Sequence, residues 1–245
     1  MSEAKKISVV IPTLQEEKII DGILSQFTTD LKKGHNIELV ISDGGSTDRT
    51  LEIARKYADV VVENKNRVKQ NISIGRNTGA RASSGEILVF INGDTLISDI
   101  DFFFTHIRKV IELSAVKGIT APVYIYPDIE TFADKFFHNF LNIYFYFLNV
   151  IGLGMGRGEC HVVKRAMFDQ VGGYDERVAA GEDFDFFRRV RWYGKIKFDW
   201  KLRVFESPRR YRKSGYIKII LLWLLNAITV LLFKKSIVDE WKPVR

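Results

Sequence analysis

The chain has 245 residues, 46% hydrophobic and 27% charged, which suits one large α/β domain, alone or with an appendage, with ample length for a core. Its single cysteine, Cys160, excludes an intramolecular disulfide. A formal net charge of +7 favours an anionic partner such as a nucleotide, a nucleic acid or an acidic lipid, and equally suits a basic enzyme with no charged partner.

Met1 to Lys6 carries two lysines and no apolar leader, so no secretory signal is expected and the amino-terminal body is expected to stay in the cytoplasm. Ile7 to Ile11 is a β-branched run that ends in Pro12-Thr13. Thr13 followed by Glu16 has the form of a capping box, and Ile19, Ile20, Ile23, Leu24, Phe27 and Leu31 then repeat at helical spacing. A second strand, Ile37 to Ile41, empties into Ser42-Asp43-Gly44-Gly45-Ser46-Thr47-Asp48. A helix over Thr47 to Tyr57 and a strand at Val60-Val61-Val62 follow. Alternation of this kind predicts a parallel sheet with right-handed crossovers.

Between Asn64 and Ser84 the composition turns basic and small, with Lys65, Arg67, Lys69, Arg76 and Arg81 among glycines and alanines. Gly75 to Arg81 reads as a helix whose small residues allow close packing, with Arg76 reaching outward or lying on a solvated face. Ile87 to Ile91 is apolar throughout, as in a strand buried on both faces of a parallel sheet, so Asn92-Gly93-Asp94 lands at the carboxyl edge where such sheets bind ligands.

Asp101 to Leu113 reads as an amphipathic helix and Gly118 to Val123 as a strand. Phe136 to Gly156 has no formal charge and is crowded with aromatics; an interfacial membrane helix and a buried core helix both fit it. Cys160 to Val163 reads as a strand, Ala166 to Val171 as a short helix, Gly172 to Asp175 as a turn. Cys160-His161 lacks a second pair at zinc spacing and is read as structural. Gly181-Glu182-Asp183 opens another helix, where carboxylates are also favourable on dipole grounds alone. Lys195 to Trp200 is a strand, and Phe205-Glu206-Ser207-Pro208 leads into Arg209, Arg210, Arg212 and Lys213. Ile219 to Phe233 is apolar apart from Asn226 and Thr229, with basic residues on both sides, as in a helix lying on an anionic leaflet. The expected organisation is a body over residues 1–208 and a basic, apolar, membrane-associating tail over 209–245.

Taken together, Val9-Val10-Ile11-Pro12-Thr13 with Glu16, Asp43 to Asp48, Gly75 to Ala80, Asn92-Gly93-Asp94, Gly172-Gly173-Tyr174-Asp175 and Gly181-Glu182-Asp183 resemble, in the same order, the family-2 glycosyltransferases. The resemblance runs from Ile7 to about Arg210. It implies a GT-A fold, a mostly parallel sheet flanked by helices, here with a membrane-seeking C-terminal helix, and inverting transfer of a sugar from a nucleotide diphosphate. It implies that Pro12, Thr13, Glu16 and Asp43 hold base and ribose, since carboxylates accept bonds from base N–H and sugar hydroxyls. Arg76 would approach the diphosphate or lock the base pocket.

By the same resemblance Asp94 would bind a divalent cation, Mn2+ or Mg2+, that bridges the phosphates. The usual aspartate-x-aspartate appears here as Asn92-Gly93-Asp94, which replaces one anionic contact by an amide. Glu206 stands where relatives often place a histidine and is the candidate second metal ligand. Asp183 is the candidate base for an acceptor hydroxyl, with Glu182 as the alternative; two adjacent carboxylates favour raising one pKa. The expected reaction moves a hexose, such as mannose or glucose, from a GDP- or UDP-sugar to a hydroxyl of a lipid or lipid-linked acceptor at the cytoplasmic face of the membrane. Two other readings are a polyprenyl-phosphate glycosyltransferase, whose anionic acceptor needs no base, and a non-catalytic membrane-binding module. A nucleic-acid partner is not expected, because no recognisable module or basic, aromatic-interleaved stripe is present.

Overall fold

The computed structural model describes residues 4–66, 70–178 and 180–233. In chain order, β1 (Ile7–Thr13), α1 (Ile20–Leu24), α2 (Thr29–Gly34), β2 (Ile37–Asp43), α3 (Thr50–Tyr57), β3 (Val60–Glu63), α4 (Ile72–Ala82) and β4 (Ile87–Phe90) alternate strand and helix. Then come β5 (Leu96–Ile97), α5 (Ile100–Ile111), β6 (Val116–Thr120), β7 (Val123–Ile125), α6 (Phe132–Val150), β8 (His161–Lys164), α7 (Arg165–Gln170) and α8 (Glu182–Arg191). β9 (Lys195–Phe198), β10 (Val204–Glu206), α9 (Arg209–Ser214) and α10 (Tyr216–Phe233) complete the described chain.

Seven strands form one sheet in the order β3-β2-β1-β4-β8-β6-β9, parallel except for β8, which runs antiparallel to both β4 and β6. β2 and β4 are buried along their whole length and β1 in all but one residue, which is why their sequences are apolar runs rather than alternating ones. Helix α4 lies tight on β1: a Cβ on Gly79 would come within 2.4 Å of Val10 Cγ1, so the small residues there set the approach of helix and sheet, as the composition predicts. A second sheet, β5-β10-β7, stands at the carboxyl edge and carries Glu206 at its rim.

Four local expectations are corrected. The Thr13/Glu16 capping box does not form: Thr13 is the last residue of β1 and its Oγ1 donates to Asp43 Oδ1 at 3.1 Å, while Gln15 takes a positive φ of 58°. The apolar spacing from Ile19 to Leu31 is broken into α1 and α2, because Thr28 caps a new helix by accepting from Leu31 N. α3 starts at Thr50 rather than Thr47, since Asp48 accepts from Thr50 N and Oγ1 and holds the preceding turn. The run from Gly118 to Val123 is two strands, β6 and β7, which leave Ala121-Pro122 between them and join different sheets.

The aromatic stretch in α6 has two apolar faces. Phe137, Leu141, Phe145 and Leu148 are buried in a cluster with Met155, Phe198, Tyr211 and Ile219. On the opposite side Phe132, Phe136, Phe140, Ile143, Phe147 and Val150 are exposed, Phe132 by 86% and Phe136 by 71%. Thus the core reading holds for one face only. Helix α10 packs Ile219, Ile220 and Trp223 onto the same cluster and leaves Ile217, Leu221 and Leu225 exposed. Among the described residues no helix is long and apolar enough to cross a membrane. The expected basic flank beyond Phe233, and Arg67 and Lys69 in the basic stretch, lie outside the described residues.

Candidate active site

The carboxyl ends of β1 and β4 and the first turn of α8 open onto a cavity of about 560 Å3. Of the candidate donor-binding, metal-binding and catalytic residues, all but Asp43 line it. Asp43 is buried and its oxygens serve the turn: Oδ1 accepts from Thr13 and Ser46 hydroxyls, and Oδ2 from the amides of Gly45 (2.9 Å) and Ser46 (2.7 Å). Its neighbours Ser42 and Gly44 reach the cavity instead.

Asp94, just past β4, faces Arg209 from α9. One guanidinium nitrogen, Nη2, donates to Asp94 Oδ2 at 3.3 Å and to Glu16 Oε2 at 3.1 Å, tying the ends of β1, β4 and β10 together. Burial pushes the Asp94 carboxyl above the usual carboxylate range, and Arg209 opposes that shift without cancelling it. The Asp94 backbone carbonyl accepts from Tyr126 Oη.

Arg76 does not reach outward. It is fully buried, donating from Nη1 to Glu182 Oε1 at 2.8 Å and from Nη2 to Asn92 Oδ1 (3.0 Å) and the Gly158 carbonyl (2.9 Å), with Cζ 5.1 Å from the Tyr174 ring centre. Asn92 supplies a neutral acceptor to this guanidinium, and Glu182 the charge. Both acids line the cavity, and Glu182 is the one ion-paired to Arg76, which makes Asp183 the better candidate for the base. Gly181, at φ +81°, turns the chain into α8 so that Asp183 sits in its first turn.

Asp183 Oδ1 accepts from Phe184 N at 2.9 Å and Oδ2 from Gly158 N at 3.1 Å. Burial first, then the adjacent Glu182 carboxylate, push its pKa well above the ordinary value; Arg76 pulls the other way, and Glu159 adds to the rise. A raised carboxyl pKa in reach of a bound hydroxyl is what a general base near neutral pH requires.

The expected second metal ligand, Glu206, also lines the cavity, but its Oε1 already accepts from Arg157 Nη2 and from Tyr211 Oη (2.7 Å). Arg157 is a hub: Nη2 also lies 2.9 Å from Tyr211 Oη, Nη1 lies 3.3 Å from His138 Nδ1, Nε lies 3.4 Å from Glu159 Oε2, and Cζ sits 5.7 Å from the Trp223 ring centre. Burial, with Arg157 alongside, holds His138 down at about 3, so the ring is neutral and its Nδ1 accepts from the guanidinium. We expect Arg157→Ala to lower stability by about 3–5 kcal/mol in urea unfolding, because the buried Glu206 carboxylate is left uncompensated.

Among the described residues no group of three or more His, Cys, Asp or Glu side chains is set to hold a metal ion. The lining nevertheless fits an ion that arrives with a diphosphate. Ions of the Mg2+ type take one or two protein carboxylates and complete their shell from substrate phosphates. The cavity presents six carboxylates, those of Glu16, Asp94, Glu159, Glu182, Asp183 and Glu206, against four guanidiniums. A diphosphate adds negative charge to that surplus, and a divalent cation offsets it.

The model of glycosyl transferase family 2 matches residues 8–172. The chain belongs to this family. Among family-2 relatives, glycosyltransferase AglE of Haloferax volcanii is 34% identical over 94 residues, 36% of this chain and 30% of its own. The chain spans between 16% and 30% of the length of the curated relatives it matches. Two solved structures share the fold. The mannosyltransferase PcManGT from Pyrobaculum calidifontis, in complex with GDP-Man and Mn2+, aligns with a TM-score of 0.66 at 18% identity, over 89% of this chain and 63% of that one. Glucosyl-3-phosphoglycerate synthase from Mycobacterium tuberculosis, with Mn2+, UDP and phosphoglyceric acid, aligns at 0.61 and 20% identity, over 93% and 78%. The fold is thus α/β and GT-A-like, with a mostly parallel central sheet.

Beside these family-2 positions, the cavity is lined by residues the motifs did not mark: Arg157, Glu159, Arg209, Arg210, Tyr211 and Trp223. Arg209 and Arg210 were visible as a basic run but read as part of the tail. The Arg157-Gly158-Glu159 triplet before β8, an ion-pairing pair around a glycine, was the available signal for Arg157 and Glu159; Tyr211 and Trp223 carried none.

Proposed function

We propose that the protein is a metal-dependent, inverting glycosyltransferase that moves a hexose from a GDP- or UDP-sugar to a hydroxyl of a lipid or lipid-linked acceptor at the cytoplasmic face of the membrane. The observation that carries this reading is the meeting of Asp94, from the end of β4, and Asp183, from the first turn of α8, in one cavity with Arg209 and Arg210 on its wall. GDP-Man and UDP complexes of proteins with this fold support the donor class.

In this mechanism Pro12, Thr13 and Glu16 flank the nucleoside, and Arg209 and Arg210 face the diphosphate. Asp94 would hold the divalent ion, which when bound would neutralise charge developing on the leaving diphosphate. The acceptor oxygen attacks the anomeric carbon as the bond to the diphosphate breaks on the opposite side, and its proton passes to Asp183. The amide of Gly158 and that of Phe184 hold the Asp183 carboxylate in place, and Arg76 keeps Glu182 from competing for the proton. Release of free nucleotide from a GDP- or UDP-hexose panel with Mn2+, with and without added lipid extract, tests the reading. We expect turnover with at least one donor; none with any donor contradicts it and favours a non-catalytic module.

A further inference from the structure

Helix α6 carries large apolar residues on two opposite faces, and in a soluble protein such faces are normally both buried. Here only one of them is. The exposed half forms a straight stripe of Phe132, Phe136, Phe140, Ile143, Phe147 and Val150, continued past the helix by Ile151 and Leu153. At 1.5 Å per residue the helical part is about 27 Å long. Scattered surface apolar residues need no explanation, but a contiguous band of this size marks a contact surface.

We propose that this outer face of α6 lies on a lipid bilayer with an anionic surface and so delivers the acceptor to the cavity. The charges around it favour that occupant. Within α6 the exposed charged residue is Lys135, and the one acid, Asp134, is buried beneath Arg212 and Tyr216. Helices α9 and α10, packed against the inner face of α6, add exposed Arg212, Lys213 and Lys218 and no acid. Asp128 and Glu130 precede the helix. A second copy of the chain is disfavoured, since a two-fold contact through this stripe sets the two basic rims against each other. A phosphate-rich leaflet meets the same rim with opposite charge, and half-exposed Tyr146 and Tyr144 suit the headgroup zone.

The buried face of α6 reaches the cavity. Phe145 of α6 and Phe184, next to Asp183, stack at 5.8 Å and 28°, and both line the cavity together with Trp223 of α10. These rings give an apolar lining beside Asp183 that suits the hydrocarbon part of a lipid acceptor. That role rests on the glycosyltransferase reading; the docking face itself does not. Because Ile219 and Trp223 of α10 belong to the packed cluster, deleting α10 is not a clean test of membrane binding.

The test uses the full chain and a Phe136→Glu/Phe140→Glu/Phe147→Glu variant, with the milder Phe→Ser set at the same sites, none of which lines the cavity. Folding is checked by circular dichroism, and binding by sedimentation with phosphatidylcholine vesicles, with and without phosphatidylglycerol. We expect the wild type to sediment with the mixed vesicles, more than with phosphatidylcholine alone, and the Glu variant to lose binding by about tenfold or more, with the Ser variant between. Equal binding of wild type and folded variants, or no vesicle binding by the wild type, overturns the proposal. A wild-type dimer that the variants convert to monomer, without vesicle binding, assigns the face to a second copy. Nucleotide binding with Mn2+ is measured in parallel: its retention in variants that leave the vesicles separates this surface from the donor site, and its absence in all proteins counts against the glycosyltransferase reading alone.

Discussion

Asp183→Asn is expected to cut sugar transfer by roughly 10²–10⁴-fold, the range supplied by a positioned general base, while donor binding stays within a few-fold of wild type. The substitution keeps the shape of the side chain, and the bonds from Phe184 N and Gly158 N can still be accepted by an amide oxygen, so the loss falls on proton removal rather than on the fold. It also removes one of two adjacent negative charges in a buried setting. The pH profile carries a second signature. Burial and Glu182 raise the Asp183 pKa in the folded protein, so the base form appears only as pH climbs through that raised value. Transfer in the wild type is therefore expected to fall on the acid side, with a limb above the ordinary range for aspartate, and that limb should be missing from the residual activity of the variant. Retention of most of the rate points instead to an acceptor that is already anionic, as in transfer to a polyprenyl phosphate.

Asp94→Ala is expected to remove the metal dependence of nucleotide binding, measured by calorimetric titration of GDP or UDP with and without Mn2+. Loss of outer groups around a metal costs 10–100-fold, so removal of a carboxylate that touches the ion should weaken metal-dependent binding by about 100-fold or more. Arg209 keeps its bond to Glu16 in that variant, which leaves a guanidinium for the phosphates and a weak, metal-independent binding. Glu206→Gln separates the two carboxylates. Since Glu206 is turned to Arg157 and Tyr211, the substitution is expected to lower stability and to leave the Mn2+ dependence in place. Loss of that dependence in Glu206→Gln would mean that the carboxylate leaves Arg157 when the nucleotide enters.

The parts of this molecule that were legible in the sequence are those whose signal is local. An all-apolar strand followed by a polar turn fixes where Asp94 stands, because a strand buried on both faces has only its ends free. The Gly181-Glu182-Asp183 turn is legible for a similar reason, since the glycine's left-handed conformation and the acids of a first helical turn belong together. What separates the two acids is not local: Arg76, on α4, pairs with Glu182 and not with Asp183. Nor could the sequence show that Glu206 is neutralised by Arg157, whose partners come from α6, α9 and β10. The Thr13-x-x-Glu16 pattern misled because a hydroxyl at a strand end has another use, here the bond to Asp43, before any helix can claim it. For α6 the apolar residues on both faces left the sequence unable to say which face meets the core. Arg209 and Arg210 looked like a membrane flank because basic residues next to an apolar helix read the same way whether they meet headgroups or a diphosphate.

The account stands on Asp94, Asp183 and the Arg209 and Arg210 guanidiniums forming one donor site, and the most direct test is the thermal unfolding midpoint of the wild-type chain against GDP- and UDP-sugars, each with and without Mn2+. A ligand at 100 times its Kd adds about 2.7 kcal/mol, or roughly 5–10 °C for a chain of this size. The predicted result is a shift of that size for at least one nucleotide sugar, present with Mn2+ and absent without it, and lost in Asp94→Ala. No shift for any donor, or the same shift in Asp94→Ala, would contradict it.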